Sequence, residues 1–472
     1  MTEAWELTTV DALARMRAKE LSPVELLASV YARADIVEPV VNALTERRTE
    51  EAEVAAKESE RRYAGAGDIR PLEGLPVALK EELPVEGWQM RFGSLAVDEI
   101  ATTTAPIAER IFAAGAVVHA RTTTPEFSCT GYTHSKLWGV TRNPWNPEVA
   151  VGGSSGGSGA SLASGTSLLA SGSDIGGSIR IPASINGVVG FKPPHGRVPE
   201  FAPFNLDRYC HEGPLARTVA DCALFENVLA GPHHADVTSL RPKLELPDEL
   251  GGTEGLRIAL SIDLGSWDVD EEVAANTRAA AEALREAGAV VEEVEIPWTL
   301  ERVMRAARAH FGGIFGAEIA EMAAGAPDVV NDYVSAWAEE AEDMLSVPGA
   351  FAHGLVEEAA LWEPIGLLFE DFDALMCPTW AVTGIPAGDS LLGTLFEGGG
   401  PNDRQFTCYM TTPFNIFSPC PVLAVPSGIA ASNGVPTGIQ IVGRTFDDVI
   451  PFRIGAALER VRPWTGLATF AG

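Results

Sequence analysis

Two glycine-rich segments, each containing a candidate serine, restrict what this chain can form more than any other feature. Ser154 lies in GGSSGGSGAS (152–161), and Ser178 lies in SDIGGSIRIPAS (173–184). Glycine permits backbone conformations and close approaches that other residues do not, so both segments predict tight turns. Small neighbours leave a serine hydroxyl open to a substrate, and successive backbone N–H groups can bind a developing negative charge.

Lys80 is the candidate base for these serines. It follows the apolar run Leu75-Pro-Val-Ala-Leu79, which predicts a buried strand. A lysine acts as a base when it is neutral, and burial favours the neutral amine. Glu81 comes next, and a carboxylate facing the amine would hold it charged, so we expect the Glu81 side chain to point elsewhere. Asp174 and Arg180, which flank the second serine, are expected to pair with each other and to hold its loop.

Text around these three residues resembles the amidase signature family of serine hydrolases. The similar segments are PVALKEELPVEG (76–87), TTTPEFSCTG (122–131), GVTRNPWNP (139–147), both serine motifs, GVVGFKPPHGRV (187–198), GPLARTVAD (213–221) and VPTGIQIVG (435–443). The subgroup most similar to this chain contains stand-alone bacterial amidases, including nylon-oligomer, aryl-amide and aryl-carbamate (urethanase-like) hydrolases. The resemblance implies hydrolysis of an amide, or of an aryl carbamate, through an acyl-enzyme.

The resemblance also implies a role for each residue of a Ser–Ser–Lys triad. Ser178 would be the nucleophile, and Ser154, after a cis peptide bond, would pass protons between Ser178 and the base Lys80. The candidate oxyanion hole consists of the backbone N–H groups of Ile175, Gly176, Gly177 and Ser178, where no bulky side chain intervenes. Cys129, after TPEFS, is a tentative substrate-pocket residue, because that position lines the pocket beside the acyl group in related enzymes.

Alternating strand and helix patterns predict an α/β fold. A strand at 75–79, a helix at 105–114 and a strand at 116–120 form one such pattern, and 257–296 contains a second. The family resemblance specifies the amidase-signature fold, an α/β/α sandwich with a large mixed central β-sheet flanked by helices. In the N-terminal part, Ser22-Pro-Val-Glu25 is a capping box that predicts a helix over Leu26–Ile36, and a second helix is predicted over Glu46–Arg62.

We expect one amidase-signature domain over residues 1–472. Its parts would be N-terminal helices (1–65), a catalytic core with the serine and lysine motifs (66–230), a variable substrate-covering region (231–370) and a return to the core sheet (371–472). Residues 298–370 predict mostly short helical pieces. Aromatic residues are frequent there and around 396–417, where they either line an apolar substrate pocket or belong to the core.

Composition excludes several classes of partner. The chain has 65 acidic and 34 basic residues, a formal net charge of −31, and such a surface repels nucleic acid and anionic lipid. The N-terminus MTEAWELTTV does not resemble a secretion signal, and no apolar run is long enough to predict a membrane span, so we expect a cytoplasmic protein. Neither the six cysteines nor the eight histidines have metal-ligand spacing. We expect no metal or cofactor, a small-molecule amide or carbamate substrate, and a monomer or homodimer.

Three alternatives stay open at this point. Gly153-Ser-Ser-Gly-Gly157 formally fits the G-x-S-x-G motif of α/β-hydrolases, with Ser155 as nucleophile, although loop-like text precedes it. A non-enzymatic amidase-like scaffold is a second alternative. The third is the glutaminase subunit of a tRNA-dependent amidotransferase, which shares the signature and acts with a partner chain.

Overall fold

The computed structural model describes residues 3–396 and 399–469, and within them a mixed eleven-stranded sheet forms the centre of the fold. Parallel strands lie towards both edges of this sheet, and antiparallel strands lie between them. The predicted α/β fold with a large mixed sheet is therefore confirmed. In sheet order the strands are Leu44–Arg47, Val117–Thr122, Pro76–Lys80, Leu169–Ser173, Glu212–Ala216, Val189–Lys192, Val422–Ile429, Pro436–Gly443, Ala374–Pro378, Arg257–Leu260 and Val290–Glu293.

Helices cover both faces of the sheet because successive residues of a strand point to opposite sides. Val77 and Leu79 pack in one buried cluster with the helices Pro106–Ala113 and Val219–Leu229. Ala78, between them, packs in another cluster with helices on the opposite face. The α-helices of eight or more residues outside 298–371 are Thr9–Arg17, Pro23–Val41, Thr49–Arg61, Pro106–Ala113, Gly156–Ser164, Val219–Leu229, Glu271–Glu286 and Val449–Val461.

The N-terminal helices differ from the prediction at their ends. The capping box is confirmed, since Ser22 Oγ accepts from the backbone of Val24 and Glu25, but the helix extends over Pro23–Val41. Residues assigned to the start of the second predicted helix instead form the strand Leu44–Arg47, and that helix covers only Thr49–Arg61. Antiparallel pairing with the strand Val117–Thr122 outweighs the helical propensity of these residues.

Residues 298–371 form a helical cover made of Leu300–His310, the π-helix Phe311–Gly316, Ala317–Ala324, Asp332–Ser346 and Ala350–Asp371. The expectation of mostly short pieces is wrong for the last helix, which has 22 residues and continues through Pro364. Gly312 in the π-helix packs closely on the next helix, where an added Cβ would lie 2.9 Å from Met344 Cβ. Across the described ranges of the chain, we find no helix with the length and apolarity needed to cross a membrane.

The sheet brings the candidate residues to one edge. Lys80 ends the strand Pro76–Lys80, and Ser173 ends the parallel strand Leu169–Ser173 beside it. Because neighbouring parallel strands end on the same side, the loop that begins at Asp174 starts next to Lys80. On the other side of Ser173, Glu212 lies directly opposite it in an antiparallel pair.

Glu81 turns away from the Lys80 amine, as expected. Its Oε2 atom accepts from the Gly93 backbone N–H at 2.9 Å. Burial raises the pKa of Glu81 to about 7, although Arg121 lowers it in part. Its other oxygen, Oε1, has no hydrogen-bond partner among the described residues. The side chain therefore occupies a site that favours its protonated form.

Replacing Gly157 by alanine is expected to lower the thermal denaturation temperature. An added Cβ would lie 2.4 Å from Thr123 N and 2.7 Å from Ala43 O, at a place where backbone has to move. Overpacking of this kind costs about 1–3 kcal/mol. The control is Gly325→Ala, where no atom lies within 4 Å of the added Cβ. Equal denaturation temperatures for the two variants, measured by calorimetry, would contradict this packing.

The denaturation temperature of Glu81→Gln, relative to that of wild type, is expected to rise as pH increases from about 4.5 to 7. A carboxyl with a raised pKa binds more protons in the folded than in the unfolded state, so wild-type stability falls as pH rises through this window. Glutamine removes that dependence. Denaturation temperatures of both proteins between pH 4.5 and 8 give the difference. A difference that is constant over this range would contradict the buried state of the carboxyl.

Candidate active site

The Lys80 amine is fully buried and has three side-chain oxygens around it. Its Nζ atom lies 2.7 Å from Ser154 Oγ and 2.8 Å from Ser173 Oγ. Glu82 Oε1 lies 3.0 Å away. The Lys80 backbone N–H also donates to Ser171 Oγ at 2.9 Å, which fixes the end of the strand. The structure thus brings Lys80 and Ser154, two of the predicted site residues, into direct contact.

Ser154 follows a cis peptide bond from Gly153, the geometry that the family resemblance implied. The Ser155 backbone N–H donates to the Ser178 carbonyl at 3.2 Å, so the two serine motifs are adjacent. Within the described residues the Ser178 hydroxyl makes no hydrogen bond, and none joins it to Ser154. The Ser155 hydroxyl, the nucleophile of the α/β-hydrolase alternative, donates to the Ser173 carbonyl at 3.3 Å.

A buried ion pair holds the loop that carries Ser178. Asp174 Oδ1 accepts from Arg180 Nη2 at 2.8 Å and from Asn415 Nδ2 at 2.9 Å, while Oδ2 accepts from Arg180 Nε at 3.0 Å. Burial on its own would raise the pKa of Asp174, but the charge and hydrogen bonds of Arg180 lower it far below its usual range. The expected pairing of Asp174 with Arg180 is therefore confirmed, and the carboxylate stays ionised.

The Asp174 carboxylate engages one of the four backbone N–H groups that were predicted to form the oxyanion hole. The Gly177 N–H donates to Asp174 Oδ1 at 2.8 Å, so it is already engaged. The N–H groups of Ile175, Gly176 and Ser178 have no acceptor within the described parts of the chain. Three of the four predicted donors are thus available, and Gly177 instead helps to shape the turn with a φ of 129°.

Sequence patterns did not identify Glu82 and Ser173 as site residues, yet both contact Lys80. Glu82 lies in the turn that follows the strand, which is closed by a hydrogen bond from the Leu83 backbone N–H to the Lys80 carbonyl at 3.1 Å. Its other oxygen accepts from the Ser128 hydroxyl. The carboxylate expected to avoid Lys80 was that of Glu81, and the one that faces Lys80 is Glu82. Ser173 begins the second serine motif and ends the neighbouring strand.

Two chambers open at the serines, and Ser128, Ile175 and Phe315 line both of them. The smaller chamber has a volume of about 30 Å³ and contains Ser178 in its wall. Its other lining residues are Cys129, Thr130, Gly131, Gly176, Ile181, Phe311, Trp337, Gln405, Phe406 and Tyr409. The larger chamber has a volume of about 200 Å³. Ser154 and Ser173 line it together with Glu82, Phe92, Phe127, Asp174, Glu200, Phe201, Ala202, Pro203, Phe204, Cys210, His211, Glu212, Glu318, Ile319 and Met322.

Cys129 lies in the wall of the smaller chamber, where it was tentatively placed. Its thiol contacts the Glu126 carbonyl oxygen at 3.2 Å, and burial raises the pKa of the thiol well above its usual value. A thiol in this state is a packing group rather than a nucleophile. The aromatic residues for which the sequence left two roles open, pocket wall or core, include examples of both. Phe311, Phe315, Trp337 and Phe406 line a chamber, whereas Trp298 packs against Phe414 and Phe417.

Comparison with known proteins agrees with this geometry. A sequence profile of the Amidase family matches residues 25–450. An acylamidase from Rhodococcus erythropolis is 33% identical over 470 residues, which cover 97% of this chain and 96% of the relative. A glutamyl-tRNA(Gln) amidotransferase subunit from Chloroflexus aurantiacus is 29% identical over 506 residues, with 98% of each chain covered.

Solved structures of amidases have the same fold. A bacterial aryl acylamidase of the amidase signature family superposes with a TM-score of 0.89 at 28% identity, covering 97% of each chain. The 6-aminohexanoate cyclic dimer hydrolase superposes with a TM-score of 0.85 at 27% identity, covering 99% of each chain. Because the family profile spans most of the sequence and the fold matches over nearly its whole length, this chain belongs to the amidase signature family of amide-hydrolysing enzymes.

Proposed function

We propose that this amidase hydrolyses small-molecule amides through an acyl-enzyme on Ser178, with Ser154 as proton relay and Lys80 as base. The 2.7 Å hydrogen bond between Lys80 and Ser154, two fully buried side chains, is the observation that carries this proposal. A buried amine needs hydrogen-bond partners, and those of Lys80 are side-chain oxygens that include a serine hydroxyl beside the Ser178 loop. The three available N–H groups in the Ser178 loop support the same chemistry.

Acylation begins when Ser178 Oγ attacks the amide carbonyl carbon. The Ser178 proton passes to Ser154 while the Ser154 proton passes to the Lys80 lone pair. The carbonyl oxygen becomes an oxyanion, which the backbone N–H groups of Ile175, Gly176 and Ser178 stabilise. The loss of one such donor typically costs about 3–4 kcal/mol of transition-state stabilisation. The intermediate then expels the amine, as the C–N bond breaks, Ser154 gives a proton to the nitrogen and Lys80 returns its proton to Ser154.

The contacts of the Lys80 amine fit the neutral form that a base requires. A neutral amine has two N–H donors and one lone pair. In this site the donors match Ser173 Oγ and Glu82 Oε1, and the lone pair matches the Ser154 hydroxyl. In the second half-reaction, water attacks the acyl-enzyme and its proton passes through Ser154 to Lys80. The ester bond to Ser178 then breaks, and the proton returns through Ser154 to Ser178 Oγ.

The residues that line each chamber suggest where the amine part and the acyl part of the substrate bind. The departing nitrogen has to face Ser154, which returns its proton, and Ser154 lines the larger chamber. The acyl carbon bonds to Ser178, which lines the smaller chamber. We therefore place the amine in the larger chamber and the acyl group in the smaller one. At about 30 Å³, the smaller chamber has room for about two or three water-sized groups, which corresponds to a short acyl chain.

A glutaminase subunit is the second candidate, and the 29% identity to the amidotransferase subunit supports it. Glutamine would place a carboxylate and an ammonium group on the acyl side. The described lining of the smaller chamber contains five aromatic side chains and the uncharged polar groups of Ser128, Thr130, Ser178 and Gln405, with no lysine or arginine to bind that carboxylate. The chamber thus favours a stand-alone amidase. An aryl carbamate can form an acyl-enzyme by the same steps and belongs in the tests.

Wild-type protein alone is expected to release the amine from a short-acyl nitroanilide, and Ser178→Ala is expected to abolish that release. Without the nucleophile, kcat should fall by at least about 10³-fold. The substrates are the nitroanilide, an aliphatic amide and an aryl carbamate, followed by absorbance or by amine detection. The preferred member identifies the substrate class.

The matched control is Ser155→Ala, which is expected to retain activity because that hydroxyl contacts only the Ser173 carbonyl. Loss of activity in Ser155→Ala with retention in Ser178→Ala would overturn the assignment of the nucleophile. If wild type hydrolyses nothing alone but hydrolyses glutamine with partner subunits, the glutaminase is correct.

Acetyl amides are expected to be better substrates than hexanoyl amides of the same amine, by roughly tenfold or more in kcat/KM, because the smaller chamber excludes the extra methylenes. Phe406→Ala enlarges that chamber and should improve the hexanoyl amide relative to the acetyl amide. Phe204→Ala, in the larger chamber, is the control and should leave the acyl preference unchanged. A shift in acyl preference caused by Phe204→Ala alone would reverse the assignment of the chambers.

A further inference from the structure

The larger chamber has an unusual distribution of charge for the binding site of an amine. Four glutamates line it: Glu82, Glu200, Glu212 and Glu318. Among the residues that the structure describes, no lysine or arginine side chain lines this chamber. His211 is its one histidine, and burial lowers the pKa of that imidazole well below its usual value, so it is neutral at neutral pH. The ionisable groups that face the chamber are therefore acids.

Not every acid of this chamber is available to a ligand. The Asp174 carboxylate also reaches the wall, but Arg180 and backbone N–H groups saturate it. Glu82 is shared between Lys80 and Ser128. Glu200, Glu212 and Glu318 remain. Glu318 is only half-buried, whereas Glu200 and Glu212 are buried, with exposed fractions of 5% and 2%. These two side chains are the candidates for contact with a bound group.

Glu212 lacks the donors that a buried carboxylate normally has. Its Oε2 atom receives no hydrogen bond from any N–H or hydroxyl group of the described chain. Glu200 accepts from the Phe201 backbone N–H at 3.2 Å, and its carboxyl also contacts that of Glu212. Burial raises the pKa of both carboxyls, that of Glu200 to about 8, and the charge of Glu82 raises both further. The charge of Glu200 also raises the pKa of Glu212, whereas Lys80 lowers it in part. Two adjacent acids with so few donors match a ligand that brings N–H groups and positive charge.

A cation in the chamber would reverse this state of the two carboxyls. An opposite charge within hydrogen-bond distance favours the ionised carboxylate, so an ammonium group would displace protons from Glu200 and Glu212. A hydrogen bond between two charged groups is also stronger than one between neutral groups. The sheet fixes the position of Glu212 relative to the triad. Glu212 is paired with Ser173, whose strand lies between that of Glu212 and that of Lys80.

The rest of the larger chamber is apolar. Phe201, Phe204, Ile319 and Met322 line it, and Phe315 separates it from the smaller chamber. Such a wall suits methylene groups, while the acids suit only the end of the chain that is charged. A volume of about 200 Å³ accommodates a chain of several carbons together with a terminal ammonium group.

We propose that Glu200 and Glu212 form a subsite for a second, positively charged nitrogen on the departing amine, so that preferred substrates are short-acyl amides of diamines. This inference rests on the proposed function, which places the amine on the Ser154 side. It adds a substrate class that the triad alone does not specify.

Two amides of equal size test the subsite. N-acetylcadaverine ends in an ammonium group, and N-hexylacetamide has a methyl group in its place. We expect wild type to hydrolyse N-acetylcadaverine with a kcat/KM roughly tenfold higher or more, the effect of one hydrogen bond to a charged group. Equal values, or a preference for N-hexylacetamide, would overturn the proposal.

Variants then assign the preference to the two acids. Glu212→Gln and Glu200→Gln should each reduce the preference to less than about threefold while N-hexylacetamide is still hydrolysed. Glu286→Gln removes the same charge from an exposed helical position and should leave the preference as in wild type. A preference that survives in both buried variants would overturn the assignment. If one variant does not fold, the other still gives the result.

A binding measurement separates this proposal from the proposed function. Ser178→Ala protein, titrated with each uncleaved amide in a calorimeter, should bind N-acetylcadaverine more tightly than N-hexylacetamide. Serine-dependent hydrolysis of both amides at equal rates, with equal affinities, overturns only the cationic subsite. If wild type hydrolyses no amide or nitroanilide, the proposed function fails. The affinities for the two amides then decide separately whether the subsite exists.

Discussion

The buried ion pair between Asp174 and Arg180 is the interaction on which the site depends. It lies at the start of a loop with two successive glycines, which has little conformational preference of its own. Arg180 also donates to the Thr411 carbonyl and to Gln440 Oε1, at 3.0 and 2.9 Å, so the pair joins the loop to a late part of the chain. Removal of one partner from a buried pair costs about 3–5 kcal/mol, because the other charge is left without compensation.

This arrangement makes the site a product of distant segments. The loop is positioned only when Asn415 and the strand Pro436–Gly443 have packed against it. The candidate triad residues lie at the end of a central strand and on loops of the core, whereas part of each chamber wall comes from the helical cover. The cover can therefore change its side chains, and with them the shape of the chambers, without moving Lys80 or Ser154.

Features that depend on residues close together in the chain could be predicted from the sequence alone. The Ser22 capping box, the buried strand before Lys80 and the pairing of Asp174 with Arg180 each follow from residues within a few positions of one another. The contact of Lys80 with Ser154 was predicted from the family resemblance. The two residues are 74 positions apart, and without the resemblance nothing in the sequence indicates that they meet. The three-dimensional arrangement also shows that Gly177 is not available as an oxyanion donor, because its N–H already serves Asp174.

Contacts between strands had no sequence signal. Glu212 and Ser173 meet through antiparallel register, which a single sequence does not specify. Glu82 faces Lys80 because the chain turns directly after the strand, with the Leu83 backbone N–H donating to the Lys80 carbonyl. Glu46 and Arg47, the second half of the strand Leu44–Arg47, were predicted as helix because the strand with which they pair lies far away in sequence. In the cover, the 22-residue helix exceeds its predicted length because packing carries it through Pro364.

The wall that Phe315 shares with Ser128 and Ile175 also sets an order of events. In the proposed orientation the amine leaves the larger chamber while the acyl group is still bonded in the smaller one. The emptied space borders Ser154, so the water that enters it arrives beside the relay that has to deprotonate it. The route of departure for the first product thus becomes the route of entry for the second reactant, and a tightly held amine would slow the whole cycle.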